Sequence, residues 1–436
     1  MKFFSTRGEE QVGLDEALAR GIASDGGLFM PETLPSFAWE RLPFGPSLQA
    51  TGQFLLEPFF AESALRSELS SIVTETLHFP IPVVPLASTS GGELGLMELH
   101  HGPTSAFKDV GAGFLAACLS RLNTNLENPL VILVATSGDT GGAVAAAFDG
   151  REGIRVAVTF PKGRVSARQE KQLTCWSDNV LSLRVNGSFD DCQALVKAAF
   201  ADADLASKYR FSSANSINIG RLLPQSTYYA HSSVAHYQRT GRRPNYIVPT
   251  GNLGNGLACV LARDMGAPIG DIVLATNENR LVSDYLGGAD WLPRASVQTL
   301  ATAMDVGNPS NMERLRNLHG EADNLAGQIS AASVSDAEIE TQIREQYRSR
   351  GVAVCPHTAT AFQAYDRLTS EQRADDWILV ATAHAAKFES IVEPLIGTGV
   401  DVPPALAAIL EGPSTAVDID AKLPALDEAL TQGFRR

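Results

Sequence analysis

Apolar positions along this chain come in short unbroken runs, each followed by a glycine-rich break and then a helical pattern. Leu130-Val-Ile-Leu-Val-Ala135 carries no polar residue. It predicts a parallel strand buried on both faces, followed by a glycine-rich loop and a helix over Ala143 to Phe148. Ile154 to Phe160 and Val180 to Val185 predict two more strands. A second group starts at Tyr246 to Val248, with another glycine-rich loop and a helix from Leu257 to Met265. It continues with strands at Asp271 to Thr276 and Trp377 to Thr382. Strands alternating with helices predict doubly wound open-sheet α/β architecture, in clusters at roughly 95–220 and 240–395. Residues 1–95 read as a mixed, largely helical N-terminal domain containing the turn Ser24-Asp25-Gly26-Gly27-Leu28. The expected division is therefore 1–95, then one α/β domain over 96–225 and a second over 226–436. The polar stretch Val334 to Arg350 predicts a surface helix, and neither a fixed-period repeat nor a low-complexity tract interrupts the pattern.

Composition narrows the function classes. A chain of 436 residues exceeds one hydrophobic core, and 44% apolar with 19% charged residues fits a globular enzyme. A net charge of −14 argues against broad nucleic-acid or anionic-membrane binding, while leaving room for a local anion site. Five scattered cysteines, Cys118, Cys175, Cys192, Cys259 and Cys355, lack metal-ligand spacing, so free thiols and no metal are expected. No signal-peptide pattern or bilayer-length apolar run is evident, so a cytoplasmic location is the expectation.

The chemistry concentrates in a few segments. Lys108 lies in His101-Gly-Pro-Thr104-Ser-Ala-Phe107-Lys108-Asp109, just ahead of the apolar helical run Val110 to Leu119. An amine at the start of a buried helix is desolvated, which favours its neutral, nucleophilic form; a snorkelling lysine is the plainer reading of the same pattern. Such a lysine forms Schiff bases with carbonyls, including that of pyridoxal phosphate. Thr136-Ser137-Gly138-Asp139-Thr140-Gly141-Gly142 joins a strand to a helix, where amides and hydroxyls make an anion cradle or simply a tight turn. Pro249-Thr-Gly251-Asn252-Leu253-Gly254-Asn255-Gly256 does the same and suits a phosphate. Neither loop is Gly-x-Gly-x-x-Gly or a Walker loop, which sets aside dinucleotide and nucleoside-triphosphate binding. Asn215-Ser216-Ile217-Asn218-Ile219-Gly220-Arg221 gathers polar groups around one cation, as a ligand site or a capped helix start. Thr382 and His384 follow the last strand, and His357 follows Pro356; each histidine reads equally as structural.

Taken together these segments resemble the threonine synthase family, pyridoxal-phosphate enzymes of the tryptophan-synthase-β-like fold, fold type II. The resemblance runs from Ser5-Thr-Arg-Gly8 and Asp25-Gly-Gly-Leu-Phe29 through the Lys108 and Ser137 segments. It extends to Thr276-Asn-Glu-Asn279, Met304-Asp305, Pro309-Ser-Asn311 and Thr382 to Phe388. It implies Lys108 as the Schiff-base lysine, the Gly251–Asn255 loop (Gly251, Asn252, Leu253, Gly254, Asn255) as the cofactor-phosphate cradle, and Thr382 at the pyridine nitrogen. It implies the Ser137 loop, with Gly138, Asp139 and Thr140, at the substrate carboxylate, and Thr104 at the substrate. Asn215, Ser216, Asn218 and Arg221 are expected at the substrate phosphate. Departures are Ser105 and Leu253, where larger apolar residues are more frequent, Ala385 for proline, and Cys355 for aspartate.

The implied reaction converts O-phospho-L-homoserine and water to L-threonine and phosphate, a carbon–oxygen lyase of amino-acid biosynthesis acting on a small phosphorylated amino acid. The expected assembly is a monomer or weak homodimer. A related dehydratase or phospholyase releasing a 2-oxo acid is the enzyme alternative. A ligand-binding protein on the same fold is the non-enzyme alternative, although the lysine and both glycine loops are intact.

Overall fold

The computed structural model describes residues 1–88, 91–123, 125–136, 138–176 and 179–434. Its described residues form three sheets. The largest has six strands, in the order Ser330–Ser333, Ile272–Thr276, Asn245–Pro249, Trp377–Ala381, Leu94–Glu98 and Val83–Leu86. All its pairings are parallel except the last, which is antiparallel. Every residue of Asn245–Pro249, Ile272–Thr276 and Trp377–Ala381 is buried, because helices cover both faces, and that is why these strands read as unbroken apolar runs. Val83–Leu86 closes one edge; it is largely exposed and contains Pro85, as suits an edge that must not recruit further strands.

The smaller sheet is wholly parallel, in the order Val417–Asp420, Val180–Asn186, Ile154–Pro161, Leu130–Ala135 and Arg210–Ser212. At the N-terminus Lys2–Ser5 pairs antiparallel with Gln11–Gly13 and Phe29–Pro31, ahead of the helices Leu48–Phe60 and Leu69–Thr76. The sheets do not follow the linear division at 95 and 225. Val83–Leu86 joins the large sheet from before the first boundary, and Val417–Asp420 returns from the C-terminus to the small one. Both additions are four-residue edge strands: Val417–Asp420 alternates apolar and acidic residues, whereas Val83–Leu86 is apolar but interrupted by Pro85.

The topology explains where a ligand can bind. From Asn245–Pro249 the chain winds to one side, towards Ile272–Thr276, whereas its other neighbour, Trp377–Ala381, comes much later in sequence. That reversal is a topological switch point, and ligands of open α/β sheets sit outside the carboxyl ends of strands at such points. Three adjacent strand ends emerge there: Pro249 into residues 250–253, Ala381 into 382–388, and Glu98 into 99–107.

Candidate active site

Lys108 opens the helix Lys108–Leu122, which is buried from Asp109 to Leu119 apart from Gly113. The approach is pinned to the next strand end: Phe107 N donates to Thr382 O (2.8 Å), His384 N to Ser105 O (3.0 Å), and Ala106 bridges Ala383. Ser105 takes φ +53° and Leu253 φ +61°, the only two positive-φ residues other than glycine among those described. Left-handed backbone costs an ordinary residue about 1 kcal/mol or more, and it persists where surrounding structure imposes it. Both departures from the family pattern in these loops thus fall at strained turns.

The Lys108 amine is 4.0 Å from Oδ2 of Asp139. Burial pushes Lys108 down to about 8; Asp139 opposes the shift, while Lys387 and Arg221 add to it. Asp139, first residue of the helix Asp139–Phe148, is itself buried, and its Oδ1 lies 3.0 Å from Lys387 Nζ. Burial works against the Asp139 charge, but Lys387 and then Lys108 outweigh it and hold the carboxyl well below the usual range. His357 also faces this pair; burial takes it down to about 4, and its Nε2 accepts from Ala303 N, so it is a neutral ring at pH 7.

The glycine loop is built otherwise. Amides of Gly251, Asn252 and Leu253 donate to no described residue, and they lead into the helix Gly254–Asp264. A Cβ on Gly251 would come 2.7 Å from the Met304 backbone, so only glycine lets the loop pass there. Asn252 Nδ2 donates to Ser216 Oγ (2.7 Å) and its Oδ1 accepts from Ser310 N, joining this loop to the Asn215–Arg221 segment. Arg221 is 2% exposed; Nη1 donates to Ala214 O, while Nε has no hydrogen-bond partner. Burial lowers Arg221 to about 10, which still leaves a cation at neutral pH. Its short helix Ile219–Leu222 packs against both the Lys108 helix and Gly254–Asp264.

Some expected contacts take other roles. Thr104 spends its hydroxyl and amide on Asp109 (2.5 and 2.9 Å), and Asn218 caps Gly220 N while donating to Leu18 O (both 2.9 Å). These bonds make both residues braces within the protein. Asn255 likewise accepts from Tyr228 and Tyr229 hydroxyls, so its side chain anchors the loop. The Asp139 side chain faces two ammonium groups, and the Gly138 amide donates to Thr136 Oγ1 (3.0 Å); Ser137 lies outside the described residues. Cys355 Sγ accepts from Thr358 N (3.4 Å), capping Pro356–Asp366, and His384 Nδ1 similarly accepts from Ala386 N (3.2 Å).

The sequence pattern assigns no role to two buried cations. Lys387 is one. The other is Arg314, which donates to Phe29 O, Ile217 O and Asn311 Oδ1 and so ties the N-terminal sheet to the ligand loops.

Residues 74–383 match the pyridoxal-phosphate dependent enzyme family, residues 2–77 the threonine synthase N terminus, and residues 358–429 the threonine synthase C-terminal region. A threonine synthase of Serratia marcescens is 36% identical over all of this chain and 97% of its own length. The chain belongs to the threonine synthase family. An Escherichia coli member is 35% identical, with 98% of each chain covered. Among solved structures, the pyridoxal-phosphate-bound threonine synthase of Brucella melitensis superimposes with TM-score 0.90 at 31% identity over the full length of both chains. The Escherichia coli enzyme gives 0.87 at 34%, covering 99% of this chain and 100% of that one. A maize serine racemase shares the fold alone, with TM-score 0.52 at 16% identity over 69% of this chain. The family cofactor is pyridoxal 5'-phosphate. The donor set suits it: a desolvated amine for an aldehyde, and free amides at a helix N-terminus for a phosphate ester.

Proposed function

We propose that this chain converts O-phospho-L-homoserine and water to L-threonine and phosphate, with pyridoxal phosphate held at Lys108. The observation that carries this reading is the desolvated Lys108 amine, reached from the end of Leu94–Glu98, with one strand (Trp377–Ala381) between it and the strand that bears a phosphate-ready glycine loop. Lys108, the Gly251–Leu253 amides and Thr382 would hold the cofactor. When bound, it withdraws electrons from the substrate carbons and makes their protons removable.

The remaining work falls to side chains. Lys108 Nζ carries protons between neighbouring carbons, which needs an amine that gains and loses a proton near neutrality. A value of about 8 leaves roughly a tenth of it neutral at pH 7. Thr140, in the first turn of Asp139–Phe148, receives the substrate carboxylate, and Gly138, whose amide is held by Thr136, shapes the turn before it. Arg221, with Asn215 and Ser216, receives the phosphate; a buried guanidinium with an unused Nε and no carboxylate ion partner among the described residues is suited to an incoming dianion. Thr104 and Asn218 keep these groups in place. No helix among the described residues is long and apolar enough to cross a membrane.

The test is to incubate purified protein with pyridoxal phosphate and O-phospho-L-homoserine and to resolve the organic product. Threonine with stoichiometric phosphate is the expected result. A 2-oxo acid with phosphate would move the enzyme to a phospholyase, and no turnover by cofactor-loaded protein would remove the substrate assignment.

A further inference from the structure

Two lysines, Lys387 buried and Lys108 13% exposed at its side chain, face one buried carboxylate, and they do so unequally. Lys387 Nζ is 3.0 Å from Asp139, and Lys108 Nζ is 4.0 Å away. Lys387 is 1% exposed, and its ammonium also donates to Thr104 O (2.7 Å), a carbonyl that accepts from Gln172 Nε2 as well (3.1 Å). Thr104 is fixed in turn by Asp109, so Lys387 is held between two immobile acceptors. Burying an ammonium–carboxylate pair rarely adds net stability over an apolar pair of like shape, so stability alone does not account for this one.

We propose that Lys387 is a positioning residue that acts on Lys108 through Asp139. By taking the carboxylate as its own partner, it keeps Asp139 from locking Lys108 into an ion pair, and the Lys108 amine stays free to attack the cofactor and carry protons. The inference rests on Lys108 as the cofactor lysine. The charged or titratable groups facing that amine are Asp139, Lys387, Arg221 and, on its own helix, Asp109, with His357 beyond Asp139. Remove Lys387, and Asp139 has Lys108 as its nearest cation. Lys108 then loses one repelling cation and gains the full attraction of the carboxylate, so both effects favour its charged form.

The test uses full-length protein stripped of cofactor. Pyridoxal 5'-phosphate is added, and its covalent capture is followed by absorbance as a function of pH. In the unmodified protein the capture rate should rise through an inflection near pH 8. Lys387→Met should move that inflection up by about one pH unit or more. Lys387→Arg, which keeps a cation for Asp139, should leave it within about 0.3 unit. Asp139→Asn should move it down, because the attracting charge is gone. A residue that only supported the fold would not give shifts of opposite sign from the two halves of one pair. Should Lys387→Met not fold, Lys387→Gln, which keeps an uncharged donor on a side chain one atom shorter, is expected to show the same upward shift. An inflection that is unmoved or lowered in the folded Met or Gln variant would overturn the proposal. Failure of the unmodified protein to capture the cofactor at all would instead overturn the site assignment on which it rests.

Discussion

The two corners of the site are built on opposite electrostatic plans. Around Lys108 the charges are matched inside the protein: Asp139 stands between two lysines, and Thr104 braces both Asp109 and Lys387. Around Gly251 and Arg221 the donors are left unmatched, with loop amides that bond to no described residue and an arginine Nε without a partner. A matched set holds a proton at a tuned affinity. An unmatched set of donors holds an anion. The same burial that lowers the Lys108 proton affinity also strips competing water from Arg221, so one apolar shell serves both plans.

Breaking the matched corner should have the largest effect. Lys108→Ala is expected to abolish covalent cofactor attachment and to cut turnover by about a thousandfold or more, measured by absorbance and product formation. Breaking the unmatched corner should be milder and of another kind. Arg221→Met should raise KM for the phosphorylated substrate by about ten- to a hundredfold with a smaller change in kcat. An unchanged KM would take Arg221 out of the phosphate site.

A pH profile separates the two corners further. Proton removal needs the neutral Lys108 amine, whose folded value is depressed to about 8, so turnover at saturating substrate should rise with pH through that region. Linkage has the matching sign: the unfolded chain binds this proton more tightly, so Lys108 costs stability below about pH 8, and the cost fades as pH climbs towards an ordinary lysine value near 10.5. His357 is neutral throughout that range, and His357→Asn should leave the inflection in place. The smallest effect belongs to the thiol cap: Cys355→Ala should cost about 1 kcal/mol, read as a modest fall in Tm.

What the sequence disclosed follows the same division. The strands Leu130–Ala135 and Trp377–Ala381, the glycine loops and Lys108 are legible because each signal is local: an unbroken apolar run, a turn residue, a lysine before a buried helix. Roles set by distant partners were not. Lys387 meets the Thr104 carbonyl across 283 positions, and Arg314 reaches Phe29 across 285; in sequence each is one more basic residue near a helix. Thr104 and Asn218 read as ligand contacts in the sequence, which does not disclose their bonds to Asp109 and Leu18. The edge strand Val417–Asp420 escapes notice because its register with Val180–Asn186, rather than its own hydrophobicity, makes it a strand.

The most direct measurement chooses between the two lysines that share Asp139. Holoenzyme is reduced with borohydride, digested and mapped by mass spectrometry. The account predicts the pyridoxyl mass on Lys108 and none on Lys387. A label on Lys387, or on any lysine other than Lys108, would contradict it.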